Sequence, residues 1–127
     1  MDVEKNGTKL SVVTTSHDAT GIETLPGLVK AFSASGFTGI KQSHSHPGTI
    51  TTYNESVPSG HYDYLQGNPN SLMPYLNKKG KNEGDALNAI QVRGLKGFKN
   101  TKFELYAPGN KTKTSYDVVN KAKISKY

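Results

Sequence analysis

The chain is 127 residues long, 33% apolar, free of cysteine and formally +6 at pH 7, a size that suits one domain with a small core and excludes two with separate cores. Without cysteine there is no disulfide, no thiolate zinc site and no cysteine nucleophile, and the zinc nucleobase deaminases are excluded with their Pro-Cys-x-x-Cys pair. The charge is uneven: residues 78–127 carry twelve Lys or Arg and four acids, residues 1–77 four Lys and six acids.

Val3 to Lys5 and Lys9 to Thr15 read as strands around Asn6-Gly7, a hairpin signal because both turn residues tolerate positive φ. Pro26 to Phe32 reads as a short helix with proline in its first turn. The run Gly36-Phe37-Thr38-Gly39-Ile40-Lys41-Gln42-Ser43 is rich in strand formers, and its strand ends at His46, where Pro47-Gly48 stops it. From Thr49 to Asn82 the composition turns to Ser, Thr, Asn, Gly, Pro and Tyr. At most one helical turn, near Leu72 to Leu76, interrupts it, and a loop of that length, about 49–83, is either a functional lid or a disordered insertion. Helical spacing returns at Gly84, where Ala86, Ala89, Ile90 and Arg93 follow i, i+3, i+4, Asp85 stands where an N-cap belongs and Gly94 supplies a stop. Lys102 to Tyr106 alternates Phe103 and Leu105 against polar neighbours, Pro108-Gly109-Asn110 turns the chain, and Lys111 to Val119 pairs back. The last eight residues are too polar to place.

His44-Ser45-His46 concentrates the chemistry. In a strand, residues two apart share a face roughly 6 to 7 Å apart along the chain, so Ile40, His44 and His46 face one way and two imidazoles converge on one ion. A catalytic zinc takes three protein ligands and a water, so a third ligand is required. Glu55, His61, Asp63, Glu83 and Asp85 are the candidates. Asp85 has the best physical case because it begins a helix and is thereby held in one orientation, whereas Asp63 and His61 lie in the long loop. A cupin would need a glutamate three or four residues after the second histidine, where Ile50 and Thr49 stand, and a TIM barrel needs about twice this length. His17 and His61 read as surface loop residues. The lysines are mostly single and spread through loops, with one arginine and no basic-aromatic platform, so they read as a solvated face and nucleic acid is not the expected partner.

Four pieces in order, His44-Ser45-His46-Pro47-Gly48, Pro58-Ser59-Gly60, Gly84-Asp85 and the strand Phe103-Glu104-Leu105-Tyr106-Ala107-Pro108-Gly109, resemble the metal motif of the JAMM, or JAB1/MPN, metalloproteases. The pattern is most similar to the bacterial JAB-like domains at the C-termini of polymorphic and Rhs-type toxins. The family's N-terminal Glu-x-x-Gly is matched by Glu4-Lys5-Asn6-Gly7. The resemblance spans about Val3 to Tyr116. It implies an α+β fold over residues 1–127, with a mixed central β-sheet flanked by a few helices, JAB1/MPN-like and cytidine deaminase-like, carrying the long loop as an insertion. It implies Zn2+ held by His44, His46 and Asp85, Glu4 as the proton shuttle, and Ser59 as hydrogen-bond donor to the oxyanion. The implied activity is hydrolysis of peptide or isopeptide bonds in a protein or peptide substrate, as the toxin module of a larger bacterial protein that a neutralising immunity protein would bind. In the eukaryotic and archaeal members the serine precedes the aspartate by three positions, whereas here 26 separate Ser59 from Asp85, so either residues 61–83 are inserted between them, which the toxin-like Gly before the Asp favours, or Asp63 is the ligand. Glu4 lies almost at the chain start, which suits a C-terminal piece of a longer protein. The alternatives are a metal-free scaffold domain of the same fold and a basic nucleic-acid-binding toxin. No run approaches the roughly 20 apolar residues of a bilayer span and no signal peptide is recognisable, so a soluble chain is expected, in the bacterial cytoplasm or secreted within a larger protein.

Overall fold

The structure, a computed structural model, describes residues 1–13, 25–46, 48, 51–63, 72–117 and 121–127. In chain order the strands and helices are β1 (Asp2–Lys5), β2 (Thr8–Ser11), α1 (Leu25–Ala34), β3 (Thr38–Ser45), β4 (His61–Asp63), β5 (Leu72–Pro74), α2 (Gly84–Arg93), β6 (Lys102–Ala107), β7 (Thr112–Tyr116) and β8 (Lys123–Lys126), with 3-10 turns at Tyr53–Ser56 and Pro108–Asn110. Among the described residues, two helices and a mixed sheet of six strands make an α+β architecture, with β4 and β5 forming a separate pair. By contacts the chain divides into two compact units, residues 1–42 with 91–101 and residues 43–90 with 102–127. His17, Pro47 and Thr49 lie outside the described residues. Among those described, no helix is long and apolar enough to cross a membrane.

In the first unit, Asn6 (φ 51°) and Gly7 (φ 79°) both take the left-handed conformation that a two-residue hairpin turn requires, and β1 pairs antiparallel with β2 as expected. On its other side β1 pairs with the start of β3, setting Glu4 opposite Thr38. Val3, Val29 and Phe98 are the fully buried apolar side chains here. Gly39 is obligatory, since a Cβ there would overlap the Phe98 ring and the Thr101 hydroxyl.

In the second unit the end of β3 leads into a meander of β6, β7 and β8. The His46 N–H donates to the Tyr106 carbonyl at 2.9 Å, and β7 pairs antiparallel with both β6 and β8. Alternation turns Phe103, Leu105 and Ala107 of β6, and Thr112, Thr114 and Tyr116 of β7, inward. Lys111, in the left-handed region at φ 51°, closes the turn between them. The polar tail does find a place: β8 is an exposed strand, and its lysines suit a position where only backbone pairing is demanded.

Two expectations for the middle of the chain are corrected. Leu72 is a buried strand residue, not part of a helical turn, because β5 pairs with β4 in the register His61 to Pro74. The stretch from 49 to 83 is not a bare loop, since it carries the Tyr53–Ser56 turn and this strand pair. The former is bolted down by side chains: Ser56 and Thr112 share a 2.7 Å hydroxyl bond, Thr114 Oγ1 donates to the Ser56 carbonyl at 2.6 Å, and Asn110 Nδ2 donates to the Thr52 carbonyl at 2.7 Å. Helix α2 forms where expected but buries Ala86, Ala89 and Val92, leaving Ile90 40% exposed. Small side chains let the helix seat closely, and that overrides the larger apolar residue.

Candidate metal centre

All residues of the centre belong to the second unit. His44 on β3 and His46, one residue past its end, hold their ring centroids 5.5 Å apart, and His44 Nε2 lies 3.3 Å from Asp85 Oδ1. One ligand atom from each of His44, His46 and Asp85 falls within 4.8 Å of the others. Metal–ligand bonds of ~2.0 to 2.2 Å at tetrahedral angles place neighbouring ligand atoms about 3.4 Å apart, so the His44–Asp85 spacing already suits an ion. The nitrogen that His46 would offer is selected by its other neighbour. Its Nδ1 lies 2.8 Å from the Glu55 carbonyl oxygen and 3.4 Å from the Glu55 carboxylate, so the tautomer that satisfies this contact carries the proton on Nδ1 and leaves the Nε2 lone pair free. Two imidazoles and one carboxylate could hold a divalent metal with a coordination position to spare, a donor set that fits zinc.

Asp85 reaches this position through a contact spanning 26 residues. The Ser59 N–H donates to Asp85 Oδ2 at 2.8 Å, and in return the Asp85 N–H donates to Ser59 Oγ at 2.9 Å. The Ala86 N–H also donates to the Ser59 carbonyl at 3.3 Å. Asp85 is therefore not the N-cap that the local pattern suggests. It sits in the first turn of α2, and the free amides of that turn are capped from elsewhere in the chain by Ser59. Gly60 (φ 82°) and Gly84 (φ 59°) make the approach possible: a Cβ on Gly60 would overlap the Glu83 carbonyl, and one on Gly84 would overlap the Ser59 side chain. The glycines of Pro-Ser-Gly and Gly-Asp thus serve one docking. Burial alone would raise the Asp85 carboxyl, but the hydrogen bond and charge of His44, with the bonds from Ser59, hold it below its ordinary 3.8. The carboxylate form suited to a metal is favoured.

The structure brings together four of the five residues expected to act: His44, His46, Asp85 and Ser59. Glu4 lies on β1 of the first unit, where its carbonyl accepts a bond from Thr38 Oγ1 at 3.2 Å. Of the other candidate third ligands, Glu55 flanks His46 and Glu83 accepts a 2.7 Å bond from the Tyr75 hydroxyl. The Asp63 side chain lies outside the described residues. His61 is not a surface loop residue: it is 7% exposed on β4, with Nε2 facing the Asp117 carbonyl at 3.2 Å and its ring edge-on to Tyr116. Tyr116, also edge-on to His44, is not among the residues the motifs point to, although its place in the alternation of Thr112, Thr114 and Tyr116 marks it as inward-facing. In comparisons with protein-family models, curated proteins and solved structures, the chain matches none.

Proposed function

We propose that the chain is a zinc-dependent hydrolase of JAMM type, acting on peptide or isopeptide bonds. The observation that carries this reading is the joining of Ser59 to Asp85 beside His44 and His46, because it explains why Pro-Ser-Gly and Gly-Asp would both accompany a His-x-His pair. When bound, Zn2+ would supply Lewis acidity, polarising a carbonyl oxygen and making a water proton easier to remove near neutral pH. His44 and His46 contribute neutral nitrogens and Asp85 one negative charge. Ser59 Oγ accepts from the Asp85 N–H and keeps its own proton, which it would donate to the oxygen that becomes negative as the amide carbonyl is attacked. The resemblance assigns proton transfer to Glu4, which would take a proton from the attacking water and return it to the leaving amine.

The test is elemental analysis of the purified chain with a hydrolysis assay on peptide- and isopeptide-linked substrates. The reading expects one zinc per chain, lost in His44→Ala, and hydrolysis abolished by a chelator and restored by zinc. Stoichiometric zinc without hydrolysis of either linkage would leave a metal site and overturn the enzyme; absence of zinc binding would favour the scaffold reading.

A further inference from the structure

Tyr116 ends β7 with its ring held on three sides. It lies edge-on to His44 (centroids 6.3 Å apart, interplanar angle 80°), edge-on to His61 (5.6 Å, 77°) and tilted against Phe103 (5.7 Å, 36°). Only 4% of the residue is exposed, yet its hydroxyl has no hydrogen-bond partner among the described residues. Folded chains seldom bury a phenol without satisfying it, and an orphan of this kind calls for a specific reason.

The nearby carboxylate does not satisfy it. Asp85 Oδ1 faces His44 and Oδ2 accepts from the Ser59 N–H. A tyrosine hydroxyl carries its proton at neutral pH, so the group is a hydrogen-bond donor there. A donor with no acceptor among the described residues therefore stands beside His44, one of the three groups that could hold a metal. What would satisfy it is an acceptor that arrives with a bound molecule.

We propose that the Tyr116 hydroxyl donates a hydrogen bond to a negatively charged oxygen of the molecule bound at the His44–His46–Asp85 centre, either the carboxylate of a hydrolysis product or the acyl oxygen of a substrate as charge develops on it. This rests on the metal-site reading and deepens it, adding a second donor to Ser59. Anionic oxygen is the class selected, because a fixed neutral donor gains most from a charged acceptor.

The experiment loads wild-type and Tyr116→Phe chains with Co2+ and titrates acetate, followed by the visible absorption of the cobalt. A hydrogen bond to a charged oxygen is worth about tenfold to a hundredfold in affinity. The expected result is at least a tenfold weaker acetate affinity in Tyr116→Phe, with Co2+ affinity within about threefold of wild type. The metal-free variant should unfold at no lower denaturant concentration than wild type, since the ring is kept and only an unpaired hydroxyl is removed. Equal acetate affinity in the two chains would overturn the proposal and leave the metal site standing. A loss of Co2+ affinity that parallels the loss of acetate affinity would also overturn it, by making Tyr116 a support of the ligands. Failure of both chains to bind Co2+ would overturn the metal site itself.

Discussion

Replacing Ser59 by alanine removes one of three bonds that tie the start of α2 to the Pro58-Ser59-Gly60 segment, and the structure says which. The hydroxyl that accepts from the Asp85 N–H is lost, while the Ser59 N–H to Asp85 Oδ2 (2.8 Å) and the Ala86 N–H to the Ser59 carbonyl (3.3 Å) use only the backbone of residue 59, which alanine keeps. Loss of a capping hydroxyl costs ~0.5–2 kcal/mol, and since Ser59 is exposed and water can reach the freed amide, the lower half of that range applies. For a chain of this size the melting temperature should fall by about 2–5 °C. Metal affinity should drop less than about tenfold, because the donor to Oδ2 survives. At saturating zinc kcat should fall by about a hundredfold to a thousandfold if the hydroxyl also serves the oxyanion. Denaturant unfolding, chelator-competition titration and initial rates separate the three quantities. An unchanged unfolding midpoint would refute the capping role. A kcat that recovers fully once zinc is saturating would confine Ser59 to holding Asp85.

Glu4→Gln should keep stoichiometric zinc and lose hydrolysis; turnover retained by this variant removes Glu4 from the chemistry. Because the folded chain holds the Asp85 carboxyl below its ordinary 3.8, the unfolded chain takes up that proton first as pH falls. The stability it contributes is complete above that value and is lost as pH falls through the folded pKa, so the gap between metal-free wild type and Asp85→Asn in denaturant midpoint should narrow from about pH 6 to about pH 3. A gap that stays constant or widens contradicts the sign. Glu55→Ala should weaken zinc binding by less than about tenfold in chelator competition, since His46 Nδ1 keeps its backbone carbonyl partner and the half-buried contact at 3.4 Å is worth about 0–1 kcal/mol. A hundredfold loss would show that the carboxylate, not the carbonyl, orients the ring.

What could be read from the sequence was what neighbouring residues decide among themselves. Asn6-Gly7 turns the first hairpin because those two residues accept positive φ, and Lys102 to Ala107 forms a strand because its apolar side chains alternate. What stayed hidden depends on a distant partner. The lysine-bearing β8 has no apolar face to announce it and exists because β7 offers it an edge. His61 is buried by Tyr116 and Asp117, more than fifty residues on, so its polar surroundings in sequence point the wrong way. In α2, spacing alone admits Ile90 to the inner face, and the close seat of Ala86 and Ala89 decides otherwise.

The centre divides along the same line. His44 and His46 share a face by the period of a strand alone, and that was legible. The helix positions the backbone of Asp85, yet what holds its carboxylate is Ser59, and the signal for that lies in the glycines. Gly60 and Gly84 each stand at positive φ and each face a partner with no room for a Cβ, and the partners are one another's segments. Two short motifs that look independent in sequence are thus the two sides of one contact, and the 26-residue interval between them is tolerated because closing a longer loop costs only about 0.6 kcal/mol per doubling. Gly84→Ala should therefore lose metal binding far more completely than Ser59→Ala in chelator competition, because it blocks the docking where the serine variant removes one bond from it.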